Sequence, residues 1–154
     1  MDMITEGDSV PKFTINDSDG NKVKSTDFKG KKHVIYFYPK DFTPGCTTQA
    51  DEFSTDYKKF QDKDIEIIGI SPDDVDSHKK FCVKMGIKYV LLADTEKEVS
   101  KAFGVWSMKK FMGREYMGVV RSTFLVNGKG KIFKIYPKVK PAGHAKQVLE
   151  DFTE

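Results

Sequence analysis

His33-Val34-Ile35-Tyr36-Phe37-Tyr38-Pro39-Lys40-Asp41-Phe42-Thr43-Pro44-Gly45-Cys46-Thr47-Thr48-Gln49-Ala50 reads as a strand, a loop and the start of a helix. The run from His33 to Tyr38 is β-branched and aromatic without interruption, the pattern of a strand buried on both faces. Pro39 stops it, because proline has no N–H to donate to a ladder. A short polar loop leads to Pro44, a residue favoured at the first helical position. From Pro44 to about Lys63, Phe53, Tyr57 and Phe60 fall at helical spacing and predict one buried stripe.

Outward from this unit the alternation continues. Ile65 to Ile70 predicts a second buried strand, closed by Ser71-Pro72. About Asp74 to Met85 predicts a helix with Val75, His78, Phe81, Cys82 and Met85 on one face, and Tyr89 to Leu92 a third strand. Thr95 with Glu98 three residues on has the form of a capping box for a short helix ending near Gly104. After a loop around Trp106, Val119 to Val126 and Lys131 to Tyr136 read as strands joined by Asn127-Gly128, a hairpin signal. Gly143 to Phe152 predicts a last helix. At the other end, Phe13-Thr14-Ile15 and Val23 flank the turn-rich Asp17-Ser18-Asp19-Gly20-Asn21, which predicts an N-terminal β-hairpin. Alternating strands and helices require parallel crossovers, while the terminal hairpin requires an antiparallel edge. The expectation is an α/β, thioredoxin-like fold over residues 1–154 as a single domain, its mixed central sheet flanked by helices.

Composition narrows the function. The net charge is +3, with 38% hydrophobic and 32% charged residues, so the chain is too apolar for general disorder and has no basic stripe for nucleic acid. The local excess at Lys109, Lys110 and Arg114 reads as a solvated loop. No stretch approaches a membrane span, and Met1-Asp2-Met3-Ile4-Thr5-Glu6 lacks the basic and apolar regions of an export signal. Asn16-Asp17-Ser18 therefore reads as a turn and not as a glycosylation acceptor. A cytoplasmic location follows as the expectation. Two cysteines make no extracellular scaffold, and in a reducing compartment a transient or catalytic bridge is favoured over a structural one. His33, His78 and His144 show no metal-ligand spacing with one another or with the cysteines.

Cys46 carries the chemistry. Placed in the first turn of a helix, its sulfur lies near free N–H groups and the positive end of the helix dipole, which favour a thiolate. The Thr43 hydroxyl, three residues upstream, can accept a hydrogen bond from a substrate O–H and donate to an oxygen or sulfur. The N–H groups of Gly45 and Cys46 can form an anion-binding nest. Pro39, without an N–H, can wall the sulfur from water. The competing reading is an inert small hydrophobe, against which Thr43, Pro44, Gly45, Thr47 and Thr48 supply a polar, loop-forming setting.

Pro39-x-x-x-Thr43-x-x-Cys46 resembles the active-site signature of the peroxiredoxins. The fuller run from Phe37 to Thr47 is similar to the bacterioferritin comigratory protein, or peroxiredoxin Q, subfamily, and Arg121-Ser122-Thr123-Phe124-Leu125-Val126 resembles that family's distal arginine strand. The resemblance implies a thioredoxin fold, no metal or organic cofactor, and reduction of hydrogen peroxide and organic hydroperoxides. It implies a sulfenic acid at Cys46, with electrons from thioredoxin. It assigns Arg121 to stabilising the thiolate and the reacting oxygens, a role its fork of donors suits; the alternative is a surface arginine paired with a carboxylate. Trp106 is either a shaper of the pocket mouth or packing.

Many members of the subfamily carry a resolving cysteine five positions after the nucleophile, where this chain has Asp51. Cys82 resembles the resolving position of a minority branch, which implies a Cys46–Cys82 disulfide. Its apolar neighbours Phe81 and Met85 equally suit a buried core cysteine. A bridge between two helices demands Cα atoms within about 7 Å, so local unwinding around both cysteines is expected on oxidation. The absence of a further thiol favours a monomer. The alternatives are a one-cysteine peroxidase resolved by an external thiol and a non-enzymatic binding or holdase module on the same fold.

Overall fold

The computed structural model describes residues 3–152; the first two and last two positions of the expected 1–154 unit, including Met1-Asp2 of the N-terminal reading, lie outside the described residues. The centre is β3 (Lys32–Phe37), followed by α1 (Pro44–Asp62), β4 (Ile65–Ser71), α2 (Val75–Met85), β5 (Val90–Ala93) and α3 (Glu98–Phe103). β4 runs parallel to both β3 and β5. On the other flank β8 (Ser122–Val126) and β9 (Ile132–Tyr136) add as antiparallel strands, and the hairpin β1 (Thr14–Asp17) and β2 (Lys22–Lys24) closes the opposite edge against β5. The seven-stranded order is β2-β1-β5-β4-β3-β8-β9, the mixed sheet that the strand–helix alternation calls for.

Alternation along the buried strands sorts side chains into two cores. Val34, Tyr36 and Tyr38 join Ile67, Tyr89, Leu91 and Leu125 beneath α1, α2 and α4 (His144–Asp151), with Ala50, Phe53, Phe60, Phe81 and Val148 supplied by the helices. Ile35, Phe37, Ile68, Ile70, Leu92, Phe124 and Val126 face the other way, onto Val99 and Phe103 of α3 and onto Phe28. Gly69 lies where a Cβ would come within 2.7 Å of Leu91 Cδ2 and 2.9 Å of Tyr36 Cζ, so the missing side chain leaves room for the Tyr36 ring in the first core.

Three sequence readings are corrected, and the geometry of a fourth is refined. α3 has no Thr95 capping box. Lys97 occupies the N-cap in a left-handed conformation, and the buried carboxylate of Asp94 caps instead, accepting from the N–H groups of Val99 at 3.1 Å and Ser100 at 2.8 Å. The loop around Trp106 is a two-stranded ribbon, β6 (Trp106–Phe111) and β7 (Arg114–Val119), turning at Met112-Gly113 with φ of 51° and 78°. Mixed Lys and Met positions hid its alternation. The expected strand from Val119 to Val126 is broken at Val120-Arg121, because Val119 pairs with Trp106 in the ribbon while Ser122 starts pairing with β3. The hairpin signalled by Asn127-Gly128 forms between β8 and β9, with a connection longer than those two residues. Asn127 Oδ1 accepts from the N–H groups of Lys129 and Lys131, and Gly130, not Gly128, takes the positive φ of 76°.

Candidate active site

Cys46 sits in the first turn of α1, 2% exposed, on the first core. Thr43 is the N-cap in extended conformation and Pro44 the first helical residue, so the chain turns from loop to helix without a capping side chain. The Thr43 hydroxyl is spent as a donor on the Lys40 carbonyl, at 2.7 Å. Its oxygen keeps lone pairs to accept a proton donor, while donation from it to the sulfur is not made here. Gly45 and Cys46 have no carbonyl one turn back, so their N–H groups remain the positive end of the helix. Pro39 is half-buried beside the same loop.

Arg121 reaches this end from the break between β7 and β8. Its Nη2 donates to Cys46 Sγ at 3.3 Å and its Nη1 to Gln49 Oε1 at 2.7 Å. The guanidinium fork is thus fixed by a neutral amide and left with its charge facing the sulfur. Gly45 makes the approach possible: a Cβ there would stand 3.0 Å from Nη2 and 3.3 Å from Pro141 Cγ. The backbone of Arg121 is held in turn by the N–H of Val139, at 2.9 Å from its carbonyl.

Gln49 escaped the sequence reading. It is 1% exposed and lies three residues after Cys46, so i, i+3 spacing along the helix was the available signal. Its Nε2 has no partner among the described residues. Lys109 was also missed, as part of a solvated loop. Its Nζ donates to the Val119 carbonyl at 3.0 Å, and burial, then the nearby Arg121 charge, push its ammonium down while Cys46 opposes them. A second cation therefore shares the field around the sulfur. Trp106 packs with the opposite core, under the Lys97 ammonium.

Cys82 is on α2, half-buried, and both cysteines are free thiols. Both touch the same core. The hydroxyls of Tyr36 and Tyr89 meet there at 2.6 Å. Burial pushes the Cys82 thiol up, a hydrogen bond from Ser18 opposes this, and the charges of Asp41, Asp19 and Asp17 add to it. The thiol is thus held in its unreactive form where it stands.

The spacing argument against histidine ligands misses one convergence. The fold brings ligand atoms of Asp41, Asp73 and His78 within 4.8 Å of one another. Those atoms are already bonded: Asp41 Oδ2 to Ser77 and His78, Asp73 Oδ2 to Ser71 and the Asp41 N–H, His78 Nε2 to the Leu92 carbonyl.

The AhpC/TSA family pattern matches residues 6–135. Peroxiredoxin Bcp of Bacillus subtilis strain 168 is 44% identical over 154 residues, covering 98% of this chain and 98% of that protein. Among solved structures, a cysteine-to-serine mutant of PrxQ from Xylella fastidiosa aligns with a TM-score of 0.93 at 31% identity, over 99% of this chain and 98% of that one. The bacterioferritin comigratory protein of Xanthomonas campestris, whose trapped intermediate and ligand complexes concern its alkyl peroxide reduction activity, aligns with a TM-score of 0.87 at 36% identity, over 92% and 90%.

Proposed function

Because the chain belongs to the AhpC/TSA family and is a thiol-dependent peroxidase of the Bcp and PrxQ type, we propose that Cys46 is its nucleophile and Cys82 its resolving thiol. The observation that carries the first assignment is the 3.3 Å hydrogen bond from Arg121 to the Cys46 sulfur at a helix N-terminus.

The Cys46 thiolate attacks the terminal oxygen of a hydroperoxide. An S–O bond forms, the O–O bond breaks, and the departing RO⁻ takes a proton to leave as alcohol or water. Arg121 and the N–H groups of Gly45 and Cys46 stabilise the negative charge as it moves from sulfur to the leaving oxygen. The Thr43 oxygen accepts the peroxide O–H and orients it. Pro39 lines the loop and limits water. The products are an alcohol, or water from hydrogen peroxide, and a Cys46 sulfenic acid.

Cys82 then attacks that sulfenic sulfur; the S–S bond forms and water leaves. An external dithiol, thioredoxin or a similar protein, reduces the bridge and is itself left as a disulfide. No metal or organic cofactor enters any step. Hydrogen peroxide and organic hydroperoxides are the substrates, a reading supported by the alkyl peroxide reduction ascribed to the Xanthomonas campestris protein. The working unit is a single-domain monomer in a cytoplasmic, reducing setting. No helix among the described residues is long and apolar enough to cross a membrane. Closing the Cys46–Cys82 loop constrains the unfolded chain by about 4 kcal/mol, which offsets helix packing lost on bridging.

The test is a thioredoxin-coupled peroxide assay on three proteins. Cys46→Ser should abolish turnover; unchanged peroxide consumption would favour a holdase or binding role. Cys82→Ser should react once with peroxide and then stall. Full thioredoxin-dependent turnover by Cys82→Ser would select the one-cysteine scheme with external resolution.

A further inference from the structure

Cys82 lies one turn beyond His78, and His78 belongs to a buried polar network that ties α2 to the loop preceding Cys46. Asp41, 3% exposed, is its hub. Asp41 Oδ1 accepts from the Tyr38 hydroxyl at 2.6 Å; Oδ2 accepts from Ser77 Oγ at 2.8 Å and meets His78 Nδ1 at 2.7 Å. A carbonyl only accepts, so the 2.9 Å contact of His78 Nε2 with Leu92 O puts a hydrogen on Nε2. The Asp41 N–H donates to Asp73 Oδ2 at 2.8 Å. Through these bonds the loop is fastened to the end of β4, to the first turn of α2 and, across the imidazole, to β5.

A second strap lies beside the first. Phe42 has φ of 66°, a left-handed conformation that costs a bulky residue energy and persists only where its surroundings impose it. Its ring stands edge-on to Phe81 at 5.1 Å, and Lys84 Nζ lies 5.8 Å from its centroid. Phe81 and Lys84 flank Cys82 in the chain. None of these groups is required to break the peroxide bond.

We infer that the Asp41–His78 bridge, with the Phe42 contact, is a latch that times the release of Cys82. Closed, it holds a strained loop and α2 in the arrangement that reacts with peroxide. Open, it frees the turn bearing Cys82 to reach the Cys46 sulfenic acid. The bridge suits a two-position device because a buried network loses its remaining partners once one bond goes, while the Phe42 strain favours opening. Asp41 and His78 are positioning residues in this scheme, and the inference rests on Cys82 being the resolving thiol.

Rapid mixing with one equivalent of hydrogen peroxide, followed by intact mass, gives the rate at which sulfenic acid becomes disulfide; excess peroxide gives the fraction diverted to sulfinic acid. Asp41→Asn should form the disulfide about tenfold faster, the worth of one charge-assisted hydrogen bond, and divert less to sulfinic acid. Ser77→Ala should shift the partition in the same direction by less. It keeps the Asp41 charge, which otherwise acts on the Cys82 thiol directly, and it decides the matter if Asp41→Asn does not fold. Ile132→Val, in the core on the other face of the sheet, should leave the partition at the wild-type value. An unchanged partition in folded Asp41→Asn and Ser77→Ala, or an equal shift in Ile132→Val, overturns the latch. If the wild-type protein forms no Cys46–Cys82 disulfide at all, it is the resolving assignment that has failed.

Discussion

Arg121 makes two hydrogen bonds through separate nitrogens, and the proposal of its role can be tested on each. Arg121→Lys keeps the charge and loses the fork, so kcat/KM for peroxide should fall by about 10²- to 10³-fold, the scale of one lost donor to a developing oxyanion. Gln49→Ala leaves the guanidinium unheld on the Nη1 side and should produce a smaller loss. Gly45→Ala tests position without touching charge. The added Cβ meets Arg121 Nη2 at 3.0 Å, and a guanidinium displaced by about 1 Å should cost up to about 10²-fold in rate. Stopped-flow peroxide kinetics alongside thermal melts separate this from unfolding; a slow Gly45→Ala protein with a wild-type melting temperature is the expected result.

At the scale of elements, the short α3 depends on a residue outside it. Asp94 accepts from two backbone N–H groups and from the Ser100 hydroxyl at 2.8 Å, all within the buried interior. Asp94→Ala should destabilise the protein by about 2 kcal/mol, read from urea denaturation, with peroxide reactivity unchanged. The helices bearing the cysteines make the opposite demand. α1 and α2 carry complete helices through Cys46 and Cys82 while both thiols are free, and the proposed intramolecular bridge is expected to unwind part of each. Far-UV circular dichroism should lose helical signal on oxidation and regain it on reduction, and a bridged protein with an unchanged spectrum would contradict local unwinding.

Of three buried histidines, the molecule as a whole holds two, His33 and His144, below the usual imidazole range. Burial lowers His33 from 6.5, with the Lys31 carbonyl opposing. Burial also lowers His144, with Gln147 opposing, Arg121 adding to the lowering and Asp151 opposing. Both are therefore neutral in the folded protein at pH values where the unfolded chain has begun to bind protons. Stability is full above about pH 6.5 and falls as pH drops towards the folded-state values, because the unfolded state then holds more protons. The melting temperature should fall between pH 7 and pH 5, and His144→Gln should flatten that slope. An unchanged slope would mean that other groups set the acid response.

How far the sequence reaches can be judged from the same residues. Strong periodic segments determined the helices α1 and α2, the buried strands β3 and β4 and the place of Cys46, because each depends on residues close together in the chain. The mixed sheet followed from the alternation of those segments. Gln49 beside Arg121, Lys109 on the Val119 carbonyl, Asp94 capping α3 and the Asp41–His78 bridge were decided only in three dimensions. Each joins side chains from elements whose mutual distance local pattern cannot supply. The ribbon of β6 and β7 was missed for a related reason: nearly all of its side chains, on both faces, are exposed or only partly buried, so burial never imposed on it the alternation that marks a strand.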